Sequence, residues 1–176
     1  MAPRRPMTYS QALLRAEALC ARSEQASAEI REKLRRWGVP AAEAERVIAS
    51  LIERRFVDDR RFAIAYARDK YRFARWGRTK IHTGLYSKRI PPEVIAEALD
   101  EIDQREYTAI AFRMMRVKLQ SLSAKEAADS GQEELDSDGR EERRRELRMK
   151  LYRFGVGRGF ESALVVKILN SPKLWG

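Results

Sequence analysis

Cys20 and His82 are the only thiol and the only imidazole among the 176 residues, which narrows the chemistry open to this chain. One cysteine and one histidine do not build a zinc site, and a lone cysteine closes no intrachain disulfide. Cys20 stands in Ala18-Leu19-Cys20-Ala21, where a small side chain on an amphipathic helix is a better account than a nucleophile. His82 stands in Lys80-Ile81-His82-Thr83, also in a helical pattern and among cations. The adjacent acids Asp58-Asp59 point in different directions at a helix start, so they read as caps and not as a paired-carboxylate site. Gly155-Val156-Gly157-Arg158-Gly159 looks like a glycine-rich phosphate loop, but it follows no strand and lacks the P-loop lysine and hydroxyl. It reads as an interhelical turn. No nucleophile elbow or dinucleotide fingerprint is present. The sequence therefore reads as a binding protein, not an enzyme, with no cofactor and no metal.

What the chain has in quantity is positive charge. Lys and Arg number 36 against 26 Asp and Glu, a formal net charge of +10. Such a balance points to a polyanionic partner, either nucleic acid or an acidic protein surface. The densest stretch holds Arg54, Arg55, Arg60, Arg61, Arg68, Lys70, Arg72, Arg75, Arg78, Lys80, Lys88 and Arg89, opposed within it only by Asp58, Asp59 and Asp69. Tyr71, Phe73 and Trp76 are interleaved. Guanidinium groups grip phosphates bidentately and aromatic rings stack bases. The plainer alternative is an ordinary solvated face over an aromatic core. The scarcity of acids favours a binding surface for the cations, and Phe73 and Trp76 are expected in the core.

The elements that must position these residues are helices. Leu13, Leu14, Ala16, Ala18 and Leu19 fit one helix from Tyr9, with Ser10 as its expected cap. Ser27 opens a second, with Ile30, Leu34 and Trp37 on one face and Glu29 in the first turn, where a negative charge suits the helix dipole. Gly38 ends it in the left-handed cap conformation, and Pro40 starts a third in its first turn. That third helix carries Ala44, Val47, Ile48, Leu51 and Ile52 and ends near Arg55-Phe56. Asp58 or Asp59 caps a fourth. No alternation of strand type is found.

The pattern repeats. Ile30, Leu34, Val39 and Pro40 have the spacing of Ile81, Leu85, Ile90 and Pro91; Val47, Ile48 and Leu51 then fall on Ala98, Leu99 and Ile102, and Phe56 on Tyr107. The unit is a helix, a turn with proline, a second helix and a linking helix. A third copy runs from Leu147 and Leu151 to Leu169. Two registers suit it, with Gly155-Val156 or Gly159-Phe160 in the place of Gly38-Val39. Gly159-Phe160 is preferred, because Leu164, Val165, Ile168 and Leu169 then line one helix face.

The expected fold class is all-α, with tandem three-helix repeats. The expected limits are a flexible basic arm over 1–8, repeats over 9–61, 62–110 and 111–170, and a tail over 171–176. Residues 121–142 hold Glu126, Asp129, Glu133, Glu134, Asp136, Asp138, Glu141 and Glu142 against Lys125 and Arg140, and are expected to form a flexible acidic insertion, either a solvated loop or a frayed helix extension. No apolar run reaches the length of a membrane span, and the N-terminus is not a secretory signal. A monomer in the cytoplasm is expected.

Several segments together resemble the RecX family. Ser27-Ala28-Glu29-Ile30-Arg31-Glu32-Lys33-Leu34 followed by Trp37-Gly38-Val39 is similar to its first repeat. Leu51-Ile52-Glu53-Arg54-Arg55-Phe56-Val57-Asp58-Asp59-Arg60-Arg61-Phe62-Ala63 resembles a family signature in which a helix end leads to an Asp-Asp pair and a Phe-Ala step. Trp76-Gly77-Arg78-Thr79-Lys80-Ile81, Leu85, Lys88-Arg89-Ile90 and Ile95 to Leu99 resemble the second repeat. Arg153-Phe154, Gly159-Phe160 and Leu164-Val165 resemble the third. The acidic insertion and Gly84, which loosens its helix by about 1 kcal/mol relative to alanine, depart from the pattern. The resemblance implies that the tandem three-helix repeats form an elongated, curved array. It also implies a regulatory protein that lies in the groove of a RecA–DNA filament. There it would restrain ATP hydrolysis, strand exchange and filament growth during DNA repair, homologous recombination and the SOS response. The implied partners are the RecA filament and, more weakly, single- or double-stranded DNA.

Overall fold

Amphipathic periodicity without strand signals gives helices, and the structure, a computed structural model that describes residues 7–130 and 137–175, holds ten among those residues. They are α1 (Tyr9–Cys20), α2 (Ser27–Arg36), α3 (Ala41–Glu53), α4 (Asp59–Arg72), α5 (Arg78–Ser87), α6 (Pro92–Asp100), α7 (Gln104–Ser130), α8 (Ser137–Gly157), α9 (Ser162–Leu169) and α10 (Pro172–Trp175). The first nine form three successive three-helix modules. Residues 1–6 of the expected basic arm lie outside the described residues.

The expected repeat is visible in the backbone. Gly38 and Gly159 have φ of +76° and +86°, and Arg89, at the matching turn of the second module, has φ of 59°. At each turn two amides reach back into the helix in the Schellman pattern. Gly38 N–H donates to Arg35 O (3.0 Å) and Val39 N–H to Leu34 O (3.1 Å); Arg89 N–H donates to Tyr86 O (2.9 Å) and Ile90 N–H to Leu85 O (3.3 Å). In the third module Gly159 N–H donates to Val156 O (2.8 Å) and Phe160 N–H to Gly155 O (3.2 Å). This fixes the Gly159-Phe160 register. Gly155 and Gly157 belong to α8 itself, so only the end of the glycine-rich segment is a turn.

Caps refine the helix starts. Thr8, not Ser10, caps α1, accepting from Gln11 N–H at 3.4 Å while Thr8 N–H donates to the Gln11 side chain at 3.2 Å. The two adjacent acids divide their work. Asp58 caps α4, accepting from Arg61 N–H at 3.0 Å. Asp59 reaches back to the start of α2 and accepts from Ser27 N–H (2.7 Å) and Ser27 Oγ–H (2.6 Å). The bonds from Gln11, Arg61 and Ser27 N–H satisfy orphan backbone donors at helix starts.

The chain divides into two compact units, Met1–Ala67 with Thr83–Glu101 and Arg68–His82 with Ile102–Gly176. In the first, Ala12, Ala16, Ile30, Leu34, Val39, Ala44, Val47, Ile48, Leu51 and Val57 form one buried cluster, with Trp37, Phe56 and Cys20 against it. Each large aliphatic side chain buried there contributes about 1.5–3 kcal/mol. Gly84 of α5 also belongs here. A Cβ at Gly84 would lie 2.4 Å from Tyr66 Oη, so the phenol occupies the space a larger residue would need. In the second unit Tyr107, Met115, Leu151 and Val165 are almost fully buried. The turn after α4 interlocks with the turn after α8: Gly77 N–H donates to Arg158 O (2.9 Å) and Thr79 N–H to Gly159 O (3.1 Å).

Residues 121–142 extend the flanking helices over 121–130 and 137–142; the remaining residues, 131–136, lie outside the described ones. Glu126 finds cations on the facing helix, Arg143 (3.1 Å) and Lys150 (2.9 Å). The expected tail contains α10, where Leu174 is buried and the Trp175 indole N–H donates to Leu169 O at 2.9 Å.

Candidate interaction surface

The twelve candidate cations separate into groups. Six are tied to carboxylates that the local sequence does not contain. Arg54 pairs with Glu17 and lies over the Phe56 ring at 5.0 Å. Arg60 pairs with Glu97 (2.6 Å), and Arg61 with Glu24 (2.6 Å). Lys88 pairs with Glu29 and lies near the rings of Phe62 and Tyr66. Arg72 meets Glu106 through two nitrogens, at 2.8 and 3.1 Å. Arg78 pairs with Glu161 at 3.4 Å and sits over the Tyr107 ring at 4.7 Å. The apparent scarcity of acids around this stretch is thus a property of the sequence window and not of the folded surface.

These ties leave electrostatic traces. The hydrogen bond to Glu106 raises Arg72 above the usual arginine value, and the Arg72 guanidinium holds Glu106 below the usual carboxylate value. Arg60 and Arg61 are raised in the same way by Glu97 and Glu24. Burial pushes the Tyr107 phenol upward, reinforced by its hydrogen bond to Glu161 at 2.6 Å. Such partly exposed pairs contribute little stability individually, but they orient the turns.

Four of the twelve, Arg55, Arg68, Arg75 and Arg89, are exposed and have no carboxylate at ion-pair distance among the described residues. Three of them share a backbone peculiarity. Arg55, Arg75 and Arg89 have φ of 57°, 55° and 59°, and they are the non-glycine residues with positive φ among those described. Left-handed backbone disfavours any residue with a Cβ by roughly 1–2 kcal/mol. The remaining two, Lys70 and Lys80, place their ammonium groups 5.0 and 4.7 Å from the centre of the Trp76 ring.

The aromatic residues do not all behave as expected. Tyr71 is buried, packs edge-on against Tyr107 at 6.3 Å and donates its hydroxyl to Glu106 at 2.7 Å. Trp76 is half-buried. Phe73, expected in the core, is 80% exposed. It is the first residue past the end of α4, its N–H still donating to Asp69 O at 2.9 Å. In the second unit, then, an exposed ring stands in sequence beside Arg68 and Arg75 and the lysine-flanked Trp76.

Sequence reasoning overlooked other cations. Arg113 and Arg116 on α7 and Arg153 on α8 are exposed, with no carboxylate partner among the described residues. Lys118 and Arg158 lie over the Phe154 ring at 5.5 and 5.9 Å. The run Arg143-Arg144-Arg145 was a visible signal, masked by the acids before it. Among the described residues no group of His, Cys, Asp and Glu has the arrangement of a metal site, and no helix is long and apolar enough to cross a membrane.

With this geometry in view, comparisons with known proteins agree among themselves. Residues 12–51 match the family model described as RecX, first three-helix domain, and residues 58–99 match RecX, second three-helix domain. A regulatory protein RecX of Thermus thermophilus is 35% identical over 105 residues, covering 59% of this chain and 71% of that protein. A regulatory protein RecX of Clostridium perfringens is 26% identical over 147 residues, and the match spans 81% of this chain but only 61% of that relative's length. The crystal structure of RecX from Lactobacillus salivarius superposes with a TM-score of 0.75 at 17% identity, covering 94% of this chain and 97% of that one. At that identity the likeness is one of fold.

Proposed function

We propose, from the premise that this chain belongs to the RecX family, that it is a regulator that binds the RecA recombinase on DNA and restrains its ATP hydrolysis and strand exchange. The observation that carries the reading is the match of residues 58–99 to the second RecX domain. That segment holds every candidate cation except Arg54 and Arg55. Binding, rather than catalysis, is the mode of action. Arg68, Arg75 and the lysine pair at Trp76 meet acidic protein surface or phosphate, and Phe73 adds an apolar contact at their side. A filament repeats its protomers, so a chain of successive modules engages several at once, and weak contacts sum through multivalency. The protein acts as a monomer in the cytoplasm, where the recombinase works.

A second reading, a general DNA-binding protein, is favoured by the exposed Phe73 ring, which suits base stacking. The two are separated by titrating the protein against a labelled single strand, bare or coated with RecA, at two salt concentrations. The regulator reading expects the coated strand to be bound at concentrations that leave the bare strand free. It also expects Arg68→Glu with Arg75→Glu to weaken that binding. Equal affinity for the bare strand, falling steeply with salt, would transfer the conclusion to the second reading.

A further inference from the structure

A cleft in the first unit is untouched by this account. It has a volume of about 870 Å³ and lies between α2, the start of α3 and the turn after α5, within the usual range of roughly 300–1,000 Å³ for ligand sites. Arg31, Lys33, Arg35, Arg36, Lys88 and Arg89 line it, against the carboxylates Glu29, Glu32 and Glu45. Ala28, Val39, Ala41 and Ala44 supply apolar lining, and among the described residues no aromatic ring takes part.

We infer that this cleft receives a carboxylate-rich segment of a partner protein, with Arg89 as a principal contact. Three observations converge on it. The cations outnumber the carboxylates two to one along the walls of an open cleft. Carboxylates already dock on its walls in the geometry a ligand would use: Arg31 holds Glu45 through Nε at 2.7 Å and Nη2 at 3.0 Å, a bidentate fork, and Glu32 bridges Arg35 and Arg36 at 2.7 and 2.9 Å. Finally, Arg89 occupies the same Schellman turn that the first and third modules build with Gly38 and Gly159. The turn itself prefers glycine. Arginine at that place stands against the backbone preference and has no carboxylate partner among the described residues, as expected of a side chain kept for something outside the fold. The apolar lining and the missing stacking ring favour an acidic polypeptide over a nucleic acid, whose bases would want aromatic platforms.

The inference deepens the regulator reading by naming the chemistry of the partner's contact. Its test needs no recombinase, so the failure of one is distinguishable from the failure of the other. A fluorescein-labelled peptide of alternating glutamate and alanine, about twelve residues long, is titrated with the full chain and followed by anisotropy. Arg89→Gly is expected to weaken binding roughly tenfold, in line with loss of a close charge pair, while its thermal midpoint stays at or above that of the wild type. Glu45→Gln, which frees Arg31, is expected to tighten binding. Arg105→Gln in the second unit removes the same charge as Arg89→Gly and should change little. Equal losses in Arg89→Gly and Arg105→Gln, or no loss in either, overturn the assignment. So does displacement of the peptide by a single-stranded oligonucleotide at lower charge concentration than by unlabelled peptide, which would make the cleft a nucleic-acid site.

Discussion

Replacing Gly77 by alanine is expected to unseat the turn after α4 from the turn after α8. A Cβ at Gly77 would lie 2.0 Å from the carbonyl carbon and oxygen of Gly159 and 2.1 Å from Phe160 N. These are backbone atoms, so no rotamer change relieves the overlap, and the turns must part by about 1.5 Å to reach ordinary contact. That breaks the Gly77-to-Arg158 and Thr79-to-Gly159 hydrogen bonds, at about 1 kcal/mol net each. It also loosens Phe160, which is buried with its ring 5.2 Å from that of Tyr107, for roughly another 1 kcal/mol. The expected loss is about 3–4 kcal/mol, a large share of the 5–15 kcal/mol typical of a domain. Urea unfolding measures it from the midpoint and slope. Gly157→Ala is the control. A Cβ there meets open space in the last turn of α8, so stability should hold or rise by up to about 1 kcal/mol. If Gly77→Ala unfolds within about 1 kcal/mol of the wild type, the interlocked turns carry no stability and the reasoning fails.

Further expectations concern charge. Glu126→Gln removes the contact of α7 with Arg143 and Lys150; hydrogen exchange should speed up over 121–130 and 137–146 and stay unchanged over 9–53. Glu32 is held down to about 2 by Arg35 and Arg36, and Glu45 and Glu106 lie below their usual 4.5 through Arg31 and Arg72. In the acid range the folded chain therefore binds fewer protons at these sites than the unfolded one. Their stabilisation is present above pH 4.5 and is lost as the pH falls toward 2, so the thermal midpoint should be level near neutrality and fall through that window. Burial raises the Cys20 thiol, so a disulfide reagent at pH 8 should label it more slowly than free cysteine, the thiolate being the reactive form.

Much of the fold was legible because its signals are local. Periodicity placed the helices, and Gly38-Val39-Pro40 marked a turn whose spacing recurs at Ile90-Pro91 and Gly159-Phe160. Ion pairs are not local: Arg54 with Glu17, Arg60 with Glu97 and Arg61 with Glu24 each span 37 positions, and no window of sequence shows them. The left-handed turns at Arg55, Arg75 and Arg89 lacked the glycine that announces such a turn. Phe73 keeps the spacing of a core stripe, but it stands at the end of α4 with its ring exposed. The composition of the acidic stretch carries no sign of its partners, the cations that follow it, with Arg145 pairing to Glu141 and Glu142. Of the candidate surface, sequence supplied the residue types. Only the fold separated the cations tied to distant carboxylates from Arg55, Arg68, Arg75 and Arg89, which have none at ion-pair distance among the described residues.

The most direct test of the regulator account is ATP hydrolysis by RecA on single-stranded DNA, with this protein added far below the recombinase concentration. The account expects inhibition there, absent with an equally basic control protein and reduced in the Arg68→Glu, Arg75→Glu chain, whose fold is confirmed by its unfolding midpoint. Undiminished hydrolysis, together with tight binding to bare DNA, would contradict it.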